Sequence, residues 1–236
     1  MSRLKLGDFE ITLVQAGFYW WDGGAMFGVV PRTLWSKKFE PDEENRVRLA
    51  FNCYIIQTGG HTILVETGAG DKPGQKARYY TRRGEWEHAH ERHLRDKVSY
   101  IDANHDPLIE SGHMQLIDED LEVVPGVRVT LAPGHNRDMM VVTAASAGET
   151  FCFFSDLIPT AAHVTPSWVA AFDLYPLESI ANKISWMKRA AFGGWICGFA
   201  HDPRIAFARI ESNQEKGFTA VDLTAVNPVS SVPIEH

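Results

Sequence analysis

The chain has 236 residues, 44% of them hydrophobic, enough to bury a sizeable core within one large domain spanning residues 1–236. A formal net charge of −7, with basic residues scattered among acidic ones, argues against the concentrated positive face that non-specific nucleic-acid binding needs. No stretch approaches about 18 uninterrupted apolar residues, so no membrane span is expected.

The N-terminus lacks the apolar run of a signal peptide. Cys53, Cys152 and Cys197 are widely spaced, sit in apolar runs and form no Cys-x-x-Cys pair. They read as buried reduced thiols of a cytoplasmic protein and not as a zinc ribbon.

Short β-branched runs predict strands at Glu10–Val14, Cys53–Gln57, Thr62–Glu66, Val127–Leu131, Met140–Ala144, Thr150–Phe154, Trp195–Phe199, Ile205–Ile210 and Phe218–Leu223. Thr58-Gly59-Gly60-His61 reads as a hairpin turn between two of them. Arg83 to Lys97, rich in Glu, Arg and His, reads as a solvated helix. Leu177 to Phe192 repeats its apolar residues at helical spacing, through Ile180, Ala181, Ile184, Met187 and Ala191. Two sheets stacked face to face, with helices outside them, accommodate this order.

Three polar residues follow apolar, strand-like runs: His135 in Ala132-Pro133-Gly134-His135, Asp156 in Phe153-Phe154-Ser155-Asp156, and His201 in Phe199-Ala200-His201-Asp202. Strand ends place such side chains where a metal can collect them. Asp22 to Pro31, Asn52 to Ile56 and Thr62 to Lys72 add further motifs in order. Together they resemble the lactonase-like branch of the metallo-β-lactamase superfamily, from about Leu4 to about Ile210. Glu66 stands where that family usually has Asp, a departure of one methylene.

The resemblance implies an α/β fold: a four-layer αββα sandwich of two mainly antiparallel or mixed sheets. It implies His135 and His201 as ligands of two metals, zinc in the first instance, with Asp156 bridging them. Hydroxide formed on the metal would then attack a small lactone or ester, while the metals polarise its carbonyl. Phe27 and Trp35, in an aromatic stretch that includes Phe18-Tyr19-Trp20-Trp21, become candidate substrate contacts, with core or dimer packing as the alternative. Asp173 and Asp202 are candidate outer partners of the histidines, with exposed loop carboxylates the commoner case. Asn136-Arg137-Asp138 departs from the Gly-His that many relatives repeat.

One motif is missing. Relatives carry His-x-His-x-Asp-His between the Gly70-Asp71 loop and the counterpart of Ala77 to Glu87, and here the two join directly near residues 76–77. A natural deletion, an engineered excision and an omitted flexible segment fit that junction equally. His88, His90 and His93 match the spacing, but Arg92 occupies the Asp position and a helix turns residues two apart to different sides. They read as an exposed helix face, and His105 and His113 as loop residues. Ser155 lacks a Gly-x-Ser-x-Gly elbow and is not expected to be a nucleophile.

The expected function is a metal-dependent hydrolase with a small-molecule substrate and a possible homodimeric assembly. A pseudoenzyme scaffold that binds metal weakly or not at all is the first rival, and a non-haem iron redox protein on the same fold is the second. His135, Asp156 and His201 alone still make a two-His, one-carboxylate set for a single metal, provided that they converge.

Overall fold

The computed structural model describes residues 2–67, 77–213 and 217–223. The elements in chain order are β1 (Ser2–Leu6), β2 (Phe9–Asp22), α1 (Gly23–Phe27), α2 (Arg32–Trp35), β3 (Arg46–Thr58) and β4 (His61–Val65). Then come β5 (Tyr79–Arg82), α3 (Arg83–His90), α4 (Asp102–Glu110), β6 (Met114–Ile117), β7 (Leu121–Val124) and β8 (Val127–Leu131). The chain continues through β9 (Met140–Ser146), β10 (Glu149–Phe153), α5 (Pro176–Gly193), β11 (Ile196–Gly198), β12 (Ala208–Asn213) and β13 (Gly217–Asp222).

Alternation builds the first sheet, ordered β1-β2-β3-β4 and antiparallel throughout. Phe9, Ile11 and Leu13 of β2 are buried, as are Tyr54 and Ile56 on β3 opposite them. The second sheet runs β13-β12-β11-β10-β9-β8-β7 and is antiparallel except where β10 meets β11. Its Val127, Ala144, Phe151, Phe153 and Ile196 close over the same apolar cluster, which fixes the two sheets face to face. Tyr54 crosses that core and donates to the Ala206 carbonyl at 2.7 Å, so its buried hydroxyl is satisfied.

The opposite face of the larger sheet carries Cys152, Phe154, Cys197 and Phe199 against Trp186, Met187 and Ala190 of α5. All three cysteines are buried and outside any disulfide, as the sequence suggested. β2 and β3 outlast the sandwich, and Val47 and Leu49 on that extension pack Met26, Phe27 and Trp35 of α1 and α2. The two-sheet sandwich expected from the sequence is therefore present. No helix among the described residues is long and apolar enough to cross a membrane.

The β3–β4 hairpin turns as expected, with Gly59 and Gly60 at φ 48° and 86°. Helix α5 also matches, opening on Pro176 and stopping at Gly194 in the left-handed conformation.

Three expectations fail. The helix expected over Arg83–Lys97 ends at His90, because only Ala89 of its eight residues is buried and two turns lack further packing. His105 lies on α4, whose Pro107 and weak apolar face hid it. Ile205–Ile210 is strand only from Ala208. The residue 76–77 junction and the Gly68–Lys72 loop lie largely outside the described residues.

Lys183 on α5 is almost wholly buried and donates to the carbonyls of Thr165 and Trp168. Burial pulls its pKa down to about 7, against a weaker opposing pull from Asp173. In the unfolded chain the amine regains its usual value near 10.5 and holds its proton over the interval between. Stability should therefore rise with pH from about 7 towards 10.5 and be lost as pH falls through 7. Urea melts across this range should show that slope, and Lys183→Met should flatten it.

Candidate metal centre

Strand direction decides where the three candidates lie. β8 and β10 are each antiparallel to β9, and β10 is parallel to β11, so β8, β10 and β11 all point the same way. His135, Asp156 and His201 each follow the C-terminal end of one of them. They converge. His201 Nε2 lies 2.9 Å from Asp156 Oδ1, and His135 Nε2 lies 3.7 Å from Asp156 Oδ2.

Each imidazole is aimed by its other nitrogen. His135 Nδ1 donates to Asp173 Oδ1 at 2.9 Å, and Asp173 Oδ2 accepts from Ser179 Oγ at 2.6 Å. His201 Nδ1 donates to the Ala50 carbonyl at 3.0 Å. Both arrangements leave Nε2 on the Asp156 side.

The backbone around them is equally fixed. Gly134 has φ 146° and lies against Ser179, while Asn182 donates to the Pro133 carbonyl at 2.8 Å. Strand β3 grips the other loop. Ala50 and Asn52 donate their amides to His201 and Ala200, and the Asn52 side chain donates to Phe199 and Asp202 carbonyls. Ser155 stands at φ 52°, a left-handed conformation that a non-glycine residue rarely adopts, and aims Asp156.

Asp173 and Asp202 differ in role. Asp173, which is buried and not an exposed loop carboxylate, contacts the His135 ring. Asp202 instead accepts the amides of Ala161, Arg204 and Ile205 and shapes the loop.

The electrostatics suit a cation. Burial alone would raise the Asp156 pKa, yet His201 and His135 hold it well below the carboxylate range. Burial would lower His135, but Asp173 and Asp156 push it up to about 9, and His201 moves in the same direction. The charge that the site attracts is positive. Tyr19 is pushed far up by burial and then by the Asp156 charge, so its hydroxyl stays protonated.

The residues fit a metal on one further count. Asp156 Oδ1 is buried and makes no aligned hydrogen bond, although His201 Nε2 is 2.9 Å away. A buried carboxylate oxygen left without an aligned donor, beside a ring nitrogen, is a polar atom that a cation would satisfy. Two histidines and one carboxylate would hold one divalent cation there with coordination positions open.

The missing motif is not replaced from α3. His88 Nε2 meets Asp96 at 2.6 Å, and His90 turns towards Asp106. His163, which the sequence reading did not single out, is buried behind the site but has both nitrogens occupied, by Thr160 Oγ1 and the Met26 carbonyl. Burial pulls it down to about 3, so it stays neutral.

Aromatic rings wall the site. Tyr19 and Phe51 lie 5.8 and 6.2 Å from the His201 ring, and Phe172 lies 5.7 Å from His135. Trp21 meets Phe172 edge-on. Phe172 carried no signal in the sequence beyond its neighbour Asp173. Phe27 and Trp35 are buried and stacked on each other at 5.2 Å, in the cluster that also holds Phe39.

Two substitutions separate aiming from binding. A Cβ at Gly134 would meet Ser179 Cα and N at 2.6 and 2.7 Å, so Gly134→Ala should swing His135 away. It should cost roughly 1–3 kcal/mol of stability and sharply weaken metal affinity, read from melts and metal titration. Asp173→Asn should leave the fold intact and lower metal affinity by about 10–100-fold in the same titration.

No family model matches the sequence, and no curated protein matches it. Solved structures do. A probable metal-dependent hydrolase from Staphylococcus aureus superposes with a TM-score of 0.81 at 24% identity, over 93% of this chain and 98% of that one. The hydrolase AbOPH of the beta-lactamase superfamily gives 0.78 at 15% identity, over 94% and 96%. AidC, a dizinc quorum-quenching lactonase in complex with a product, gives 0.74 at 15%, over 93% and 96%. At such identities the likeness speaks for architecture, and it spans both sides of the junction near residue 76. The chain has the metallo-β-lactamase fold.

Proposed function

We propose that this protein is a metal-dependent hydrolase that holds one divalent cation, zinc in the first instance, on His135, Asp156 and His201. The observation that carries the reading is their convergence, with both Nδ1 atoms already committed to acceptors. A bound cation would supply Lewis acidity and lower the pKa of a water.

The chain's own groups supply the rest. Asp156 keeps its negative charge between the two rings, and Asp173 keeps His135 in one tautomer. Tyr19, held protonated beside Asp156, is a hydrogen-bond donor for a developing oxyanion. Tyr19, Trp21, Phe51 and Phe172 offer an apolar wall to an acyl group, with Phe27 and Trp35 as packed backing. A lactone or ester suits that wall, and the likeness to a dizinc lactonase supports the choice. The buried free thiols suit a reducing compartment such as the cytoplasm.

A second reading, an inactive scaffold, is favoured by the absence of His-x-His-x-Asp-His from the sequence. Intact mass, elemental analysis and hydrolysis assays on one preparation separate the two. The hydrolase reading expects a mass near 26.4 kDa, about one zinc at this centre and turnover of acyl lactones or aryl esters. Asp156→Asn should abolish the turnover and the metal bound at this centre. A protein of that mass that turns over none of these substrates, with or without added zinc, would establish the scaffold.

A further inference from the structure

A second group of metal-binding side chains lies away from the strand ends, between α3 and α4. His90, Asp102, His105 and Asp106 can each offer one ligand atom, all within 4.8 Å of one another. His90 Nε2 lies 3.1 Å from Asp106 Oδ1, and His105 Nδ1 lies 2.9 Å from the same oxygen. Nitrogen and oxygen ligands at about 2.0–2.1 Å around tetrahedral zinc stand roughly 3.3 Å apart, so these spacings already approach a coordination polyhedron.

The hydrogen bonding around the rings points the same way. His90 Nδ1 meets the Trp86 carbonyl at 2.8 Å, and a carbonyl can only accept. In the neutral ring that leaves a bare Nε2 lone pair facing a carboxylate oxygen. Two acceptors at that distance repel unless a proton or a cation lies between them.

The nearest guanidinium does not serve, because Arg92 is engaged by Asp102 and by the Ala89 carbonyl. The outer nitrogen of the other ring, His105 Nε2, is buried without a hydrogen-bond partner, and Asp102 Oδ1 lies 3.8 Å from it. A metal on Nδ1 would fix the proton on Nε2 and give it that acceptor, the carboxylate–histidine–metal relay that orients ligand imidazoles. Trp86 packs against both rings at 4.3 and 5.5 Å and limits their rotation.

We infer that His90, His105 and Asp106 form a second, independent site for a transition-metal cation, zinc or its imidazole-binding congeners, with Asp102 as outer partner and water completing the shell. The cation fastens α3 to α4. These helices have little apolar packing of their own, with Ala89 the buried residue on α3 and none on α4.

Titration of the chelator-stripped full chain with zinc, and with cobalt followed by its visible spectrum, tests this at neutral pH. Wild type should bind one more equivalent than the double variant His90→Ala/His105→Ala. Asp156→Asn should retain that equivalent, so failure of the strand-end centre and failure of this one read out separately. Single His90→Ala and His105→Ala should each weaken the second equivalent by more than the roughly 10–100-fold typical of losing an outer partner, and Asp102→Asn by about that range. Because the site is partly exposed, the variants should keep the wild-type circular dichroism spectrum. Equal zinc stoichiometry and affinity in wild type and the double variant would overturn the inference. So would a cobalt spectrum in Asp156→Asn that shows only octahedral, water-like coordination.

Discussion

The site depends on strand direction. One antiparallel step from β8 to β9, another from β9 to β10 and a parallel step from β10 to β11 leave three C-termini on one edge of the sheet. A parallel pair cannot be joined by a tight turn and needs a crossover of a dozen or more residues. Helix α5 is that crossover, and it is anchored at both levels. Trp186, Met187 and Ala190 pack the sheet, while Ser179 near its start holds Asp173 against His135. The packing that closes the core thus also aims a ligand.

The second anchor comes from the other sheet. β3 lends the Ala50 carbonyl to the His201 ring and two amides to its loop, and Asn52 fills its buried position with two donated hydrogen bonds. His135 is therefore oriented by a carboxylate on the crossover and His201 by a backbone carbonyl on the facing sheet. The two rings keep their relation only while the sheets stay in register, so the geometry of the candidate site and the sandwich packing are linked.

Much of this was legible in the sequence because it rests on local pattern. The alternation in β2 and β3, the Gly59-Gly60 turn and the apolar stripe of α5 are period and turn chemistry, which a window of residues carries whole. The trio His135, Asp156 and His201 was legible because each follows a strand. What escaped depends on contacts distant in sequence. Phe172, Ser179 and Asn52 matter through partners on other elements, and nothing beside them in the chain marks that. The four-residue strands β5, β6 and β7 carry too few alternations to register, and α4 hides behind Pro107. Asp173 and Asp202 looked alike in sequence, and only the structure shows one on a ligand ring and the other on backbone amides.

Two imidazoles and a carboxylate meet at the strand ends. Asp156 is the one carboxylate between the two imidazoles, and the field of Glu66 also reaches His201. Asp173 adds a further negative charge on the far side of His135. Glu85 also feels the charge of His135, and burial raises its pKa. The carboxylates on both sides of His135 are what raise its pKa against burial, so the strand ends stabilise positive charge where burial alone would penalise it.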